Sequence, residues 1–328
     1  MKDTVLIFAS SDNVSVDGVQ SLLEALGEKI YRFDTDNFPS QIALGVELFH
    51  DRLSGFITDS SSMQIDLDRI KSCWYRGVRK SKTPSGMDDG YARFIQDEAK
   101  AVLWALYTSL DAFWVNPPLF GVSLIGNNKL YQLKTASQAG LATPKTVITN
   151  DPNHLLSFCR ECGGEVAIKL LSGHVFMSEG SDEILGIYTQ RVSEKEILDR
   201  YDDISLSPLL AQQYVSKSIE IRVTIVGERI FACAIHSQDS EKTKVDWRKY
   251  DFSNVAHQPH RLPDKIEEKL RRLMKVWGLQ FGAIDMILTP KNEYVFLEVN
   301  PQGQWGWIEQ LTGMPISQAI ATLLANPP

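Results

Sequence analysis

The amino-acid sequence predicts a mixed α/β and α+β protein with two or three domains. Strand-like and helix-like segments alternate over the first third of the chain, and strand patterns dominate from about residue 212 onward. The chain has 328 residues, which suits about two domains of ordinary size. Hydrophobic residues make up 43% of it and charged residues 23%, so sizeable cores can form. This composition excludes a disordered chain, a collagen-like repeat and a small disulfide scaffold.

The first third predicts a small α/β layer. Residues 5–9 are an apolar run typical of a buried strand, and apolar residues recur at helical spacing over 16–26, where Gly27 ends the helix. A second strand is expected at 30–33. No GxGxxG motif follows the first strand, so a dinucleotide site is unsupported. A long helix is expected at 88–110, with an apolar stripe of Tyr91, Ile95, Val102, Leu106 and Leu110.

A break is expected at residues 116–118, where Asn is followed by two prolines. Beyond it the patterns predict, in chain order, a helix at 127–139, a strand at 145–149, a helix at 152–161, and strands at 166–171, 220–226, 229–236, 280–288 and 294–300. A helix before the last two strands has a capping-box pair, Asp264 and Glu267, and an apolar stripe of Ile266, Leu270, Leu273 and Trp277. The predicted domains are 1–124, 125–211 and 212–328.

Charge and cysteine content limit the partners. Lys and Arg number 34 and Asp and Glu 41, so the formal net charge is -7, which disfavours a nucleic-acid partner. No run of about 18 apolar residues suggests a membrane span, and the first residues do not resemble a signal peptide. Four cysteines in a chain of this length predict reduced thiols in a cytoplasm. The single pair Cys159-x-x-Cys162 is a weak candidate for a metal or redox site.

Two acidic residues face each other in a predicted hairpin. Residues 289–293 have turn chemistry between two strands, and a hairpin centred between Lys291 and Asn292 places Asp285 opposite Glu298. Asn300 shares the face of Glu298 because side chains alternate along a strand. Opposed Cβ atoms lie about 4.5–5.5 Å apart, where two carboxylates repel each other. Because all three side chains offer oxygen ligands, we predict Mg²⁺ here.

Two other interpretations of the hairpin stay open. Its polar face could simply be solvated, although Ala283, Ile287 and Phe296 would then form an unusual outer face. A register shifted by one residue would turn one of the two carboxylates to the other face.

Two lysines are candidates for phosphate binding. Lys169 lies in the apolar strand 166–171, where an ammonium needs a partner or an anion, although a lysine at a strand end can also extend into solvent. Lys129 lies in the first turn of a helix, where the helix dipole disfavours a cation and attracts a phosphate. A solvated Lys129 is the simpler alternative.

Further candidates lie after residue 211. Residues 212–215 could be an extended connector whose backbone contacts an adenine edge. Glu220 and Arg222 project from one face of the next strand, as a functional pair or as a surface salt bridge. The polar segment 236–248 contains Asp246 and Arg248 beside Trp247, and it is either a functional loop or simply an exposed one.

Taken together, these features resemble the ATP-grasp superfamily in order and spacing over about residues 116–328. The matching positions are Lys129, Lys169, the 212–215 connector, Glu220, Asp285 and the run Glu298-Val299-Asn300-Pro301. Within that superfamily the chain is similar to the graspetide maturases, the microviridin-type peptide macrocyclases. That likeness is carried by residues 74–76 (WYR), 127–130 (NNKL), 140–150 (GLATPKTVITN), 235–238 (IHSQ), 246–248 (DWR) and 298–305 (EVNPQGQW).

The resemblance implies an N-terminal pre-ATP-grasp α/β domain followed by a two-lobed ATP-grasp fold. It implies an ATP- and Mg²⁺-dependent ligase that acts on a ribosomally made precursor peptide with a leader and a core. An Asp or Glu side chain of that peptide would be phosphorylated, and a Thr or Ser hydroxyl, or a Lys amine, would then close an ω-ester or ω-amide ring. The resemblance also implies a homodimer.

The resemblance assigns a role to each matching residue. The nucleotide would be held by Lys129, Lys169, Gln213, Tyr214, Val215 and Glu220. Mg²⁺ would be held by Asp285, Glu298 and Asn300. Arg222 and Arg248 would stabilise the transferring phosphoryl group or the acceptor carboxylate. Apart from the resemblance, the place of Asp246 in the loop beside Trp247 and Arg248 suggests the hypothesis that it is the base for the attacking hydroxyl.

One segment departs from the family pattern. Many ATP-grasp enzymes have a glycine-rich loop after the second lysine, whereas residues 170–174 contain one glycine, so a phosphate role is not assigned to them. Two alternative functions stay open: a different carboxylate–amine ligase, such as a glutathione-synthetase-like or protein glutamate ligase, and a nucleotide-binding module without catalysis.

Overall fold

The first part of the chain is an α/β layer whose parallel sheet has the strand order β2-β1-β6-β7. The computed structural model describes residues 2–61, 63–171, 175–177, 184–186 and 188–328, with the backbone alone at 175–177 and 184–186. The first elements are β1 (Thr4–Ala9), α1 (Val14–Ala25), β2 (Lys29–Asp34), β3 (Ile42–Phe49), β4 (Arg52–Asp59), β5 (Gln64–Asp66), β6 (Ile70–Tyr75), α2 (Asp89–Ser109) and β7 (Phe113–Val115). The predicted strands at 5–9 and 30–33 and both predicted helices are confirmed.

The apolar stripe predicted for α2 is wrong at Tyr91, in the first turn, and at Val102, which lies outside the buried face. Tyr91 is 70% exposed and Val102 is 36% exposed, whereas Leu103 and Tyr107 are buried. The buried face is set by the C-terminal half of α2, which packs on the sheet, while the first turns lie outside the core. The antiparallel sheet β3-β4-β5 was not predicted, because most of its residues are exposed or half-buried and its pattern is weak.

The central part forms an antiparallel sheet with the order β12-β9-β13-β8. This part of the chain begins with a π-helix at Pro118–Ile125. The elements that follow are α3 (Lys129–Gln138), β8 (Thr146–Thr149), α4 (Pro152–Glu161), β9 (Glu165–Lys169), β10 (Val175–Met177), β11 (Ile184–Gly186), β12 (Gln190–Ser193), α5 (Glu194–Asp199), α6 (Tyr201–Ile204) and β13 (Leu209–Gln213). Strand β13 continues past the predicted boundary at residue 211, because Gln212 and Gln213 still pair with β9.

The last part is an antiparallel sheet with the order β16-β15-β14-β17-β18. Its elements are β14 (Ile219–Val226), β15 (Arg229–Ile235), β16 (His257–His260), α7 (Asp264–Trp277), β17 (Phe281–Leu288), β18 (Tyr294–Asn300), α8 (Gly306–Thr312) and α9 (Ile316–Ala325). Helix α7 buries Leu270, Leu273 and Trp277 as predicted. The predicted capping box is wrong, since the N-cap is Pro263 and Glu267 accepts a hydrogen bond from Arg271 (Oε2–Nη1 3.0 Å).

Asn116 joins the first part to the last sheet at the predicted break. Its Nδ2 donates to the carbonyl oxygens of Phe281 (2.7 Å) and Pro301 (2.9 Å). Its Oδ1 accepts from the backbone N–H groups of Gln280 (2.9 Å) and Phe281 (3.0 Å). Asn116 is buried and adopts φ 31°, a left-handed conformation that asparagine tolerates better than most residues. The break is thus a rigid junction, and β1, α1 and α9 share one core.

No helix among residues 2–61, 63–171 and 188–328 has the length and apolarity to cross a membrane.

Candidate active site

A cleft lies between the central sheet and the last sheet. Its walls bring together most of the predicted site residues: Lys169, Gln213, Tyr214, Val215, Glu220, Asp246, Arg248, Asp285 and Glu298. Lys129 and Arg222 lie directly behind this wall and contact Glu298 and Asp285. The cleft therefore gathers side chains from β9, β13 and the connector on one side, and from β14, β17, β18 and the loop after β15 on the other, with Lys129 of α3 behind them.

The predicted pairing of the two carboxylates is confirmed. Asp285 on β17 lies opposite Glu298 on β18. The register shifts by one residue between this pair and the turn, so that Met286 pairs with Phe296 and Leu297 is the bulged residue. Phe296 accordingly packs in the core on the opposite face, which corrects its predicted position beside the carboxylates.

Arg222 supplies the charge that faces Asp285. The two residues pair across β14 and β17, and the Nη1 of Arg222 lies 2.9 Å from the Oδ1 of Asp285. Both side chains are buried. Burial raises the pKa of Asp285, and the guanidinium of Arg222 counteracts part of that rise.

Glu298 is held by three cations. The Nζ of Lys129 lies 3.3 Å from its Oε2, and the Nη1 of Arg248 lies 4.0 Å from its Oε1. Burial alone would raise the pKa of Glu298, but the charges of Lys129, Lys169 and Arg248 outweigh it and hold the pKa at about 2. Glu298 is therefore ionised at neutral pH.

The lysines have well-defined surroundings. Lys129 is the first residue of α3, as predicted, and its Nζ also donates to the carbonyl oxygen of Leu170 (3.0 Å), so it is not a solvated side chain. Burial lowers the pKa of Lys169, and the nearby Glu298 opposes that shift. Lys169 thus lies in the cleft with a cost of burial that a bound anion would relieve.

The connector, residues 212–215, also lines the cleft. Gln213 ends β13, and Tyr214 and Val215 follow it outside any helix or strand. The guanidinium of Arg191 lies over the ring of Tyr214, 4.5 Å from its centroid. Tyr214 is thereby held beside the cleft.

Glu220 is buried, which excludes the surface salt bridge with Arg222 that the sequence left open. Its partner is Lys217, with 2.6 Å between Nζ and Oε1. Burial raises the pKa of Glu220, and Lys217 opposes that rise. Lys217 was not among the predicted site residues, and its only signal in the sequence is its position three residues before Glu220.

Asp246 and Arg248 form a bidentate ion pair in the loop after β15. The Nε and Nη2 of Arg248 lie 2.9 Å and 2.6 Å from the two carboxylate oxygens of Asp246. The backbone N–H groups of Arg248 and Thr189 also donate to this carboxylate. Although burial raises it, the pKa of Asp246 is held far below its ordinary value by Arg248. A carboxylate with these partners is a poor base near neutral pH, so the geometry favours a positioning role instead.

The oxygen donors of the hairpin suit Mg²⁺. Asp285 and Glu298 provide two carboxylates, and no cluster of three His, Cys, Asp or Glu residues that could hold a metal occurs in the described part of the chain. Mg²⁺ commonly takes one or two carboxylates and completes its shell with phosphate oxygens and water. Asn300 is exposed, and its Oδ1 accepts from the backbone N–H of Gln302 (2.9 Å), so its amide orders the turn after β18.

Arg76 is a buried cation to which the sequence had given no role. Its Nη1 donates to the carbonyl oxygen of Gln302, and its guanidinium lies over the Trp305 ring, 4.6 Å from the centroid. Among the described residues, its Nε and Nη2 have no hydrogen-bond partner. Burial and the nearby Arg222 lower the pKa of Arg76 to about 10. The only sign of a role for Arg76 in the sequence is its position directly after the apolar strand 70–75.

Of the segment 170–174, residues 172–174 lie outside the described residues.

Comparison with known proteins identifies both parts of the chain. Residues 4–119 match the MvdD pre-ATP grasp domain, and residues 126–324 match the RimK-like ATP-grasp domain. A probable alpha-L-glutamate ligase of Vibrio vulnificus (strain YJ016) is 26% identical over 196 residues, which cover 59% of this chain and 61% of that protein. The match thus spans less than two thirds of this curated relative.

Two solved structures are similar over nearly the whole chain. The macrocyclase MdnC from Microcystis aeruginosa MRC, bound with precursor peptide MdnA, is 35% identical with a TM-score of 0.84, covering 98% of this chain and 99% of that one. A RiPP-associated ATP-grasp ligase from Chryseobacterium gregarium, in complex with ADP and a leader and core peptide, is 28% identical with a TM-score of 0.88, covering 98% and 96%. With a facing carboxylate pair surrounded by cations in the cleft, the chain belongs to the ATP-grasp family, in its branch of graspetide ligases with an MvdD-type first domain.

Proposed function

We propose that this protein is an ATP- and Mg²⁺-dependent ligase that closes ω-ester or ω-amide rings in a ribosomally made precursor peptide. The observation that carries the proposal is the cleft itself, where Asp285 and Glu298 face each other within reach of Lys129, Arg222 and Arg248. The likeness to MdnC over nearly the full length of both chains supports a peptide substrate.

The nucleotide lies between the two sheets in this proposal. Tyr214 and Val215 contact the base with Gln213, and Glu220 accepts from the ribose. Lys129 and Lys169 neutralise the phosphates. Because desolvation lowers the pKa of the half-buried Lys169, a bound phosphate relieves the cost of keeping its ammonium charged.

Asp285 and Glu298, with Asn300, are the residues that would hold Mg²⁺. Bound there, Mg²⁺ would neutralise phosphate charge and orient the transferring group. Lys129 already lies against Glu298, so it can remain as a partner of both the carboxylate and the phosphates.

The reaction makes a poor electrophile reactive. A carboxylate oxygen of the peptide attacks the γ-phosphorus, and ADP leaves, so that an acyl phosphate forms. A hydroxyl oxygen or an amine nitrogen then attacks the acyl carbon, loses its proton, and inorganic phosphate leaves. Arg222 and Arg248 stabilise the charge on the phosphoryl group or orient the carboxylate.

Asp246 orients Arg248 in this scheme. Its two carboxylate oxygens bind the Nε and Nη2 of Arg248, and this contact orients the Nη1 of Arg248 toward Glu298. This role replaces the base that the sequence suggested.

The proposal extends to partners and location. The precursor peptide carries a leader and a core with Thr or Ser and Asp or Glu. The enzyme acts as a homodimer in the cytoplasm, without nucleic acid or membrane. We also propose domain boundaries near residues 124 and 213.

Mass spectrometry tests the function. The protein is incubated with ATP, Mg²⁺ and a leader-bearing peptide rich in Thr, Ser, Asp and Glu that is encoded beside its own gene. We expect the peptide to lose the mass of one water per ring, only when ATP is present. An unchanged peptide would contradict the proposal.

A second function is favoured by the likeness to glutamate ligases over residues of the ATP-grasp domain. The same experiment with added glutamate separates the two, because ligation increases the mass of the peptide.

A further inference from the structure

A groove in the first domain lies outside the nucleotide cleft. We call it the α2 groove, and it is bounded by α2, by the loop 78–83 and by the ends of β2 and β6. Its cavity volume is about 740 Å³, within the range of about 300–1,000 Å³ that ligand sites occupy. In open parallel sheets, ligands bind at the carboxyl ends of the strands, which is where Thr35 and Tyr75 line this groove.

The floor of the α2 groove is aromatic. The ring of Tyr107 contacts those of Tyr75 (centroids 5.2 Å apart) and Trp104 (5.9 Å), both edge-on. Tyr107 is buried, whereas Tyr75 and Trp104 are half-buried and retain surface toward the groove. Such a floor accepts apolar side chains or the flat surface of an extended backbone.

The rim of the α2 groove is basic in an acidic protein. Four of its lining residues are basic (Arg79, Lys80, Arg93 and Lys100) and two are acidic (Asp89 and Asp97), so four minus two leaves two positive charges. The chain as a whole carries -7. Arg79 is paired with Asp12 (2.8 Å), but Lys80, Arg93 and Lys100 are exposed and form no ion pair with the described residues. The local charge therefore complements an anionic ligand.

The α2 groove lies next to the turn that follows the carboxylate hairpin. The carbonyl oxygen of Tyr75 accepts from the Nε2 of Gln302 (3.4 Å), and the adjacent Arg76 donates to the carbonyl oxygen of Gln302. Gln302 in turn donates its backbone N–H to Asn300 (2.9 Å). One residue, Tyr75, thus belongs to the groove and contacts the turn that carries Asn300.

We propose that the α2 groove binds an extended acidic segment of the peptide substrate. Carboxylates of that segment contact Lys80, Arg93 and Lys100, and its backbone and apolar side chains lie on Tyr75 and Trp104. The groove thereby holds the peptide on the side of the turn after β18, while another acidic side chain occupies the cleft. This inference rests on the proposed function, since it supposes a peptide substrate.

Two variants of equal charge test the groove. The first is Lys80→Gln/Arg93→Gln/Lys100→Gln on the rim. The matched control is Lys265→Gln/Arg272→Gln/Lys275→Gln, which removes the same three charges from the exposed face of α7. Binding of a fluorescein-labelled precursor peptide is measured by anisotropy without ATP at low and at physiological salt, and ADP binding serves as a check of folding.

We expect the rim variant to bind the peptide about tenfold more weakly, since each exposed ion pair contributes modestly, with a smaller salt dependence. The control variant and ADP binding should match wild type. Peptide addition should also change the tryptophan fluorescence of the wild type. The fractional change should be smaller in Trp104→Phe.

Equal peptide affinity in the rim variant and wild type overturns the inference, as does an equal loss in both variants. The inference is also overturned if inorganic phosphate changes the fluorescence of Trp104 as much as the peptide does. These outcomes are separate from the proposed function: a wild type that binds the peptide through the rim but never removes water from it contradicts the ligase and leaves the groove standing.

Discussion

At the scale of single residues, the site is an arrangement of opposite charges that mostly satisfy one another. Asp285 is matched by Arg222, Asp246 by Arg248, and Glu298 by several cations. The sequence suggested that two facing carboxylates must be neutralised by a metal. The structure shows that protein cations already do so, which lets the carboxylates stay close before any metal binds.

Loss of either hairpin carboxylate should remove activity. We expect Asp285→Ala and Glu298→Ala to slow ATP-dependent peptide dehydration by about 100–1,000-fold or more, as for other electrostatic stabilisers. Each change also removes a carboxylate from a neighbouring cation, from Arg222 in the first variant and from Lys129 in the second. Single-turnover assays at saturating Mg²⁺ measure the rate. The control is Glu293→Ala, an exposed carboxylate in the turn of the same hairpin, and near-normal turnover in the Asp285 or Glu298 variant would defeat the assignment.

The variant Asp246→Asn tests whether Asp246 acts as a base or positions Arg248. Because Arg248 holds its pKa far below the ordinary value, Asp246 stays ionised throughout the neutral range. Asp246→Asn should therefore lower kcat while leaving both limbs of the pH–rate profile where they are in wild type. A shift or loss of the acidic limb would instead support the base that the sequence suggested.

At the scale of elements, the turn after β18 is packed so closely that its glycine has no room for a side chain. A Cβ on Gly303 would lie 2.3 Å from the Cβ of Ala283 and 2.6 Å from the Nη2 of Arg222. Ala283 belongs to β17, so neither that atom nor the backbone can move away easily. The turn is thereby tied to the Arg222–Asp285 pair.

Gly303→Ala should lower the free energy of unfolding by about 1–3 kcal/mol, as overpacking commonly does, and should also reduce the rate by displacing Arg222. The matched control is Gly306→Ala, at the first residue of α8, where nothing lies within 4 Å of an added Cβ. Urea unfolding and single-turnover rates check both variants. If the two variants had similar free energies of unfolding, the turn after β18 would accommodate a Cβ without destabilising the fold, which contradicts the prediction.

At the scale of the whole molecule, the first domain and the last sheet act as one body. Their core is continuous, since β1 and α1 pack with α9. Buried hydrogen bonds reinforce this contact, including that from the Oγ of Ser72 to the carbonyl oxygen of Leu324 (2.7 Å). A fixed first domain keeps the α2 groove and Arg76 in place beside the turn after β18.

Substitution of Asn116 tests the contact between the first domain and the last sheet. Its side chain makes four hydrogen bonds with backbone groups of residues 280, 281 and 301. Asn116→Ala leaves these buried groups unpaired, so we expect the free energy of unfolding to fall by about 3 kcal/mol or more. Asn127→Ala, which removes an exposed side chain with a bond to Ser123, should cost less than about 1 kcal/mol. Equal unfolding midpoints in urea would contradict the junction.

The sequence by itself determined the order of the elements and the hairpin that brings Asp285 to Glu298. Apolar periodicity and turn residues are local signals, and they sufficed for β1, α1, α3, α7 and the Asp285–Glu298 pairing. They failed where burial is decided by packing, as in the first turns of α2 and in the β3–β5 sheet. The bulge at Leu297 also escaped, because a single inserted residue leaves no pattern.

Only the tertiary structure decided which charges meet. Lys129 reaches Glu298 from 169 positions away, Arg222 reaches Asp285 from 63, and Arg76 reaches Gln302 from 226. Contacts of this kind depend on how sheets and helices pack, and spacing along the chain carries no record of them. The pairs Glu220–Lys217 and Asp246–Arg248 are close in the sequence, but only the folded structure shows that these side chains contact each other, because a carboxylate's surroundings are set by packing.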